Sequence, residues 1–271
     1  MKNLPEFINL YTIAAFLSGI FLHWLWSTYL WPYRHKVYTW VFTKRNYDRL
    51  GDITKTDKEL NRNGYSLGYS YRYKAPLWVS YIISRASKNI DWERDGDFAE
   101  DLSIPEEHRV KPSDVTNSGY DKGHMAPSSA IDFSKKTNRE TFLMSNIAMQ
   151  HPQLNRQAWR ALENQVQDWV QERGRMFVVT GPLYGDRLSR VNGIPIPRTF
   201  YKVIYSPKHI RGIAFLFPNK ATKASKLWDH VLAVSELEEL CGYNFFHKFS
   251  NRKQRLAKEL DLDWWQEAFE D

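Results

Sequence analysis

At 271 residues, 42% hydrophobic and 15% aromatic, the chain carries ample material for a core. That excludes an intrinsically disordered protein and suits one domain of roughly 200–250 residues plus an accessory segment. A net charge of +7 and a pI near 9.3 favour polyanionic partners, nucleic acid or anionic lipid headgroups, with a generically basic surface as an equal alternative. The single cysteine, Cys241, excludes an intrachain disulfide and a cysteine-cluster zinc site; in Leu237-Glu-Glu-Leu-Cys-Gly242 it reads as a small buried residue near a helix end.

In chain order, the first element is apolar. No Asp, Glu, Lys or Arg occurs from Phe7 to Tyr33, and residues 8–31 are long enough to cross a bilayer as a helix. Trp24, Trp26, Tyr29, Trp31 and Tyr33 gather toward its C-terminal end, as in an interfacial belt. The exit Tyr29-Leu-Trp-Pro-Tyr33 lacks the small residues of a signal cleavage site, so the segment reads as an uncleaved single-pass anchor spanning residues 1–33, with a buried N-terminal helix as the alternative. Arg34, Lys36, Lys44, Arg45 and Arg49 follow it and would keep the C-terminal part on the cytoplasmic side, although the side of the membrane stays open. Residues 34–63 read as a basic linker able to bind anionic lipid, and the domain proper as residues 64–271.

Leu77–Ile83 is rich in β-branched and aromatic residues and reads as a core strand. The acidic run from Asp91 to Asp101 and the stretch Ser103–Thr116 read as loops. Thr141–Met149 reads as a strand. From Leu154 the period becomes helical, with Leu154, Ala158, Ala161 or Leu162, Val166, Trp169 and Val170 on one stripe and Gly174 as the stop. Met176–Pro182, Tyr201–Tyr205 and Gly212–Phe217 are further strands; Ala224–Leu240 and Gln254–Phe269 are helical.

The chemistry gathers around Ser118-Gly-Tyr-Asp-Lys-Gly-His-Met-Ala-Pro127. His124 sits in a glycine-bracketed turn with Lys122 two positions before it, and Asn155 opens the long helix. Phosphodiester cleavage requires a base for water, which a neutral histidine supplies near neutral pH. It also requires an electrophile for the phosphorane and the leaving oxygen, which a divalent metal supplies. Mg²⁺ keeps several waters and needs few protein ligands, so one amide oxygen suffices. By residue type alone Asn155 reads first as a helix N-cap, Glu163 as an exposed helix residue and Asn146 as a strand-end turn residue.

Several ordered stretches resemble the DNA/RNA non-specific endonucleases of the ββα-metal (His-Me finger) class, which include Serratia-type nuclease and endonuclease G. They are Ser118–Pro127, Phe142-Leu-Met-Ser-Asn-Ile147 and Gln153-Leu-Asn-Arg-Gln-Ala-Trp-Arg-Ala-Leu-Glu163, with weaker echoes at Phe177–Pro182, Ile196–Lys202 and Cys241–Phe246. The resemblance covers residues 65–246. It implies an α+β fold with a central antiparallel sheet flanked by helices, here preceded by the transmembrane helix. It implies a metal-dependent endonuclease that hydrolyses DNA and RNA through backbone contacts, without sequence specificity, leaving 5′-phosphate and 3′-hydroxyl ends. By the same resemblance His124 is the general base, Asn155 the direct ligand of Mg²⁺ (with Mn²⁺ as a substitute) and Glu163 the acid that holds the metal's waters. Asn146 is then the asparagine that orients the histidine or the phosphate.

One departure from the pattern is clear. Lys122 replaces the usual arginine, keeping the charge but losing the bidentate fork. Arg85 is the candidate for the upstream phosphate-binding arginine, with Lys88 competing. The alternative function is a catalytically weak or inactive nucleic-acid-binding membrane protein on the same scaffold. A homodimer is left open.

Overall fold

The computed structural model describes residues 53–85, 97–132 and 134–267, together with Gly19, Phe21 and His23. The expected anchor, apart from those three residues, lies outside the described residues, as do most of the linker, Lys88 and most of the acidic run from Asp91. Among the described residues no helix is long and apolar enough to cross a membrane.

The centre is a seven-stranded, fully antiparallel sheet. Its strands are β1 (Lys58–Asn61), β2 (Tyr65–Ser70), β3 (Ala75–Ile83), β6 (Met176–Leu183), β9 (Thr199–Ser206), β10 (Arg211–Pro218) and β11 (Val231–Leu232), in that spatial order. Two short pairs lie outside it: β4 (Asp121–His124) with β5 (Ile147–Gln150), and β7 (Arg190–Val191) with β8 (Ile194–Pro195). The inner strands are apolar at consecutive positions because both faces are covered.

On one face Trp78, Val179, Tyr201, Val203 and Ala214 pack with Val234, Leu237 and Ala257. These three come from the helices that close that side, Val234–Cys241 and Asn251–Lys258. On the other lies the long helix, wound as a π-helix over Leu154–Trp159 and as an α-helix over Arg160–Arg173. Its Trp159 packs edge-on to Phe200 and Phe217, and its Trp169 meets Trp228 and Trp265. The helix ends where expected: Gly174 has φ +86°, which favours glycine.

Among the described residues from 53 onward, the α-helices in chain order are α1 (Pro112–Val115), α2 (Lys135–Glu140), α3 (Arg160–Arg173), α4 (Val234–Cys241), α5 (Asn251–Lys258) and α6 (Leu262–Gln266). The structure differs from the sequence expectation in five places. The sheet begins at Lys58, ahead of the expected boundary at Gly64, because β1 pairs with β2. The stretch expected to be loop from Ser103 to Thr116 includes α1 and a short helical turn. The strand expected over Thr141–Met149 is confined to Ile147–Gln150, since Met144–Asn146 form a turn of 3₁₀-helix.

The helix expected over Ala224–Leu240 is three elements: a 3₁₀ stretch, β11 and α4. β-branched Val231 finds the free edge of β10, and Glu236 restarts the helix by accepting from the Ala233 amide at 2.7 Å. Similarly, α5 and α6 are separate because Asp261 caps a new helix beginning at Leu262, its carboxylate accepting from the Trp264 amide at 3.1 Å. Cys241 ends α4 half-buried, and burial pushes its thiol up to about 11, which suits a packing residue rather than a nucleophile.

Candidate active site

β4, β5 and the long helix form a ββα unit on the edge of the domain. The two strands are antiparallel, with His124 opposite Ile147 and Asp121 opposite Gln150. Gly123 lies opposite Ala148, and a Cβ there would come 2.4 Å from Gln150 Oε1, so no larger residue fits. The ring of His124 packs edge-on against Phe142 at 5.0 Å and beside Phe98 at 5.4 Å.

At 3.6 residues per turn, Asn155 and Glu163 on a regular α-helix would be about 80° apart around the axis. The helix between them starts with a π-wound stretch, whose wider i→i+5 turns take up extra residues and reduce that angle. Both residues line the same cleft.

Asp121 braces the start of this helix. Asn155 Nδ2 donates to Asp121 Oδ2 at 2.9 Å, and Arg156 donates to both carboxylate oxygens at 2.8 and 2.7 Å. A carboxylate only accepts, so the amide nitrogen of Asn155 must face it, and the amide oxygen is the group left over. Partial burial works to raise the Asp121 carboxyl, but the hydrogen bonds from Arg156 and Asn155 outweigh it and hold the group below its ordinary range.

Asn146 has a different place from the one expected. It is wholly buried, accepts from the Ala126 amide at 2.9 Å, and donates to the carbonyls of Ala126 and Thr141 at 2.9 and 2.8 Å. Its own carbonyl accepts from the Met125 amide at 3.0 Å. With its amide committed to backbone, it clamps the two residues after His124 rather than pointing to the imidazole or a phosphate.

The cleft has a volume of ≈ 660 Å³. His124 and Lys122 enter from β4, with Phe98 beside them; Asn155, Arg156, Arg160 and Glu163 enter from the helix. Ser128, Ser129, Asp132 and Asn138 form the wall after the histidine. Lys122 Nζ donates to Thr116 Oγ1 at 3.2 Å and lies 5.4 Å from the centre of the Phe98 ring. Arg85 does not reach the cleft: its guanidinium donates to the carbonyls of Gln171 and Glu172, at the C-terminal end of α3. A cation there is held by the helix end, where carbonyls lack partners.

Glu163 faces the cleft with an 18% exposed side chain, and its Oε1 lies 3.4 Å from Nζ of Lys202, whose side chain is fully buried in β9. Burial raises the Glu163 carboxyl, with Lys202 opposing; burial lowers the Lys202 ammonium, with Glu163 opposing.

These donors fit a hard divalent cation. The cleft presents an amide oxygen whose nitrogen is fixed elsewhere and a carboxylate with a buried counter-charge. Among the described residues no three His, Cys, Asp or Glu side chains are grouped as ligands, so the donor set suits an ion that keeps most of its water.

Sequence reasoning singled out His124, Lys122, Asn155 and Glu163, and all four line one cleft. It assigned nothing to Asp121, Arg156, Arg160 or Lys202. A signal for the arginines exists: residues 156, 160, 163, 164 and 167 repeat at helical spacing opposite the apolar stripe. For Lys202 the signal is a lysine in the middle of the apolar strand Thr199–Ser206.

Residues 48–252 match the family model described as DNA/RNA non-specific endonuclease. A nuclease from Syncephalastrum racemosum is 32% identical over 236 residues, covering 76% of this chain and 72% of that protein. Human mitochondrial endonuclease G is 33% identical over 202 residues, covering 68% of each chain. The crystal structure of the EndoG/EndoGI complex superposes with a TM-score of 0.68 at 28% identity, covering 75% of this chain and 91% of that one. The mixed architecture around a large antiparallel sheet is common to both.

Proposed function

The chain belongs to the DNA/RNA non-specific endonuclease family, and from that premise we propose that it is an endonuclease hydrolysing phosphodiester bonds of DNA and RNA without reading sequence. The observation that carries the reading is the cleft shared by His124, Asn155 and Glu163 and bordered by Lys122, Arg156 and Arg160. Cationic side chains attract the phosphate backbone irrespective of base, and no groove-reading element is needed.

In this reading His124 accepts the proton of the attacking water. The water oxygen forms a bond to phosphorus while the bond from phosphorus to the 3′ oxygen breaks; the departing 3′ oxygen takes a proton from solvent and His124 returns its own to solvent, leaving a 5′-phosphate and a 3′-hydroxyl. Asn146 keeps the imidazole in place through the backbone of Ala126. Asn155 would hold a Mg²⁺ or Mn²⁺ ion by its amide oxygen, and Glu163 would orient the ion's waters. Such an ion supplies Lewis-acid stabilisation of the phosphorane and the leaving oxygen. Arg156 and Arg160 hold neighbouring phosphates. The apolar segment of residues 8–31 belongs to the same proposal as a membrane anchor.

The test is cleavage of supercoiled plasmid and of RNA by the purified chain in detergent. Degradation of both with Mg²⁺ or Mn²⁺, abolished by EDTA and reduced by at least about a thousandfold in His124→Ala, is expected. DNA binding with no cleavage under either metal would instead establish a binding protein on a nuclease scaffold. Protease accessibility on intact cells tests the anchor and its side.

A further inference from the structure

Lysine is a costly residue for the middle of a buried strand. Lys202 lies there, on the sheet face that packs against the long helix, opposite Phe215 of β10 and Thr180 of β6. Its side chain has no exposure to water. It touches the helix at two places one turn apart: Nζ is 3.4 Å from Glu163 Oε1 and 4.2 Å from the centre of the Trp159 indole. Trp159 closes the π-wound stretch that holds Asn155, so positions 155, 159 and 163 form one row, and Lys202 grips two of the three.

Glu163 faces few other charges. Arg160 and Tyr81 act on it from a distance, and among the described residues Lys202 is the one cation in salt-bridge range. A carboxylate this enclosed retains its charge only beside a counter-charge. The same enclosure keeps Lys202 out of the cleft, whose lining does not include it.

We infer that Lys202 is a positioning residue: from beneath the helix it holds Glu163 as a charged, fixed acceptor toward the cleft and sets the strength with which the site holds a divalent cation. This rests on the nuclease reading above. A purely structural Lys202 would cost stability when replaced, because Glu163 is left enclosed without its counter-charge, but would leave the Mn²⁺ affinity of the folded protein unchanged. A positioning lysine would not, since its removal acts through Glu163.

The experiment is a double-mutant cycle on the full chain with Lys202→Met, Glu163→Gln and both together. Three quantities are read: Mn²⁺ affinity by electron paramagnetic resonance without substrate, kcat and KM on plasmid, and Tm. In Lys202→Met, Mn²⁺ binding should weaken about tenfold and kcat fall about a hundredfold, with KM unchanged because Lys202 does not face the substrate. Adding Lys202→Met to Glu163→Gln should change neither quantity further, and the double variant should melt above Lys202→Met.

Full Mn²⁺ affinity and kcat in Lys202→Met would overturn the inference, as would an equal additional loss in the Glu163→Gln background. Should Lys202→Met fail to fold, Glu163→Gln and the double variant decide the matter alone: equal Mn²⁺ affinity supports the coupling, a further loss refutes it. If the wild-type chain shows no cleavage, the nuclease reading fails while the Mn²⁺ and melting cycles still report on Lys202.

Discussion

The amide nitrogen of Asn155 donates to Asp121 at 2.9 Å, joining the strand that carries the histidine to the first turn of the helix. Asp121 thereby decides which atom of Asn155 is left for the cleft. Asp121→Asn can present its own amide to Asn155 and loosen that choice. The expected result is a fall of about 10–100-fold in kcat and in metal affinity, with the fold retained, since partners of ligands typically act at that level. Isothermal titration with Mn²⁺ alongside plasmid kinetics measures both. Asn155→Asp should be worse, because it sets two carboxylates against each other.

Asn146 uses its whole side chain on backbone. Asn146→Ala leaves the Ala126 amide and the carbonyls of Ala126 and Thr141 without their partner inside the protein. Each orphaned group costs about 1–3 kcal/mol, so a loss of roughly 3 kcal/mol or more in urea unfolding is expected. Activity should fall with it through displacement of the turn after His124. A stability change below about 0.5 kcal/mol would show that the clamp is dispensable.

Stability should depend on pH through Asp101. Its carboxyl is held below the ordinary range: burial works to raise it, but hydrogen bonds from Ser103, Ser145 and Arg62 prevail. A carboxyl lowered on folding contributes stability that is present above the unfolded pKa, near 3.9, and is lost as pH falls through the folded value. Asp121 has the same sign. The wild type should therefore lose stability on going from about pH 5 to pH 2, and Asp101→Asn should show a shallower loss over that window by urea unfolding at stepped pH. Glu163, raised on folding by burial, has the opposite sign and destabilises once ionised.

The C-terminal segment beyond residue 252 lies outside the family match, yet it is part of the core. Trp265 is 1% exposed, its indole donates to the Gly212 carbonyl at 3.2 Å, and its own carbonyl accepts from Trp169 at 2.9 Å. Nearby, Arg173 stacks on Trp264 at 4.2 Å. Trp265→Ala should cost about 3–5 kcal/mol. Urea unfolding checks it, and a cost below about 1 kcal/mol would mean that the segment only rests on the surface.

Much of this was legible in the chain itself. The core strands Leu77–Ile83 and Met176–Pro182, the helix from Leu154 and its stop at Gly174 follow from periodicity and glycine chemistry. These are local properties, carried by neighbours along the chain. The meeting of His124, Asn155 and Glu163 was also readable, because their ordered motifs carry the family pattern. The failures came where distant partners outweigh local preference. Thr141–Asn146 reads as strand but turns, because the Asn146 side chain bonds backbone twenty residues away. Ala224–Leu240 breaks because a sheet edge was open for Val231. Arg85 reads as a phosphate contact but is taken by the end of α3.

The short motifs along the chain were enough to fix the family and to put His124, Asn155 and Glu163 on a strand and a helix that share one cleft. Only the tertiary structure decided what supports them. Asp121 on Asn155, Asn146 on the turn after His124 and Lys202 beneath Glu163 are contacts across 34, 20 and 39 residues. Their worth comes from burial, where an unpaired charge or amide is costly, and burial is a property of the assembled layers rather than of any one stretch of chain.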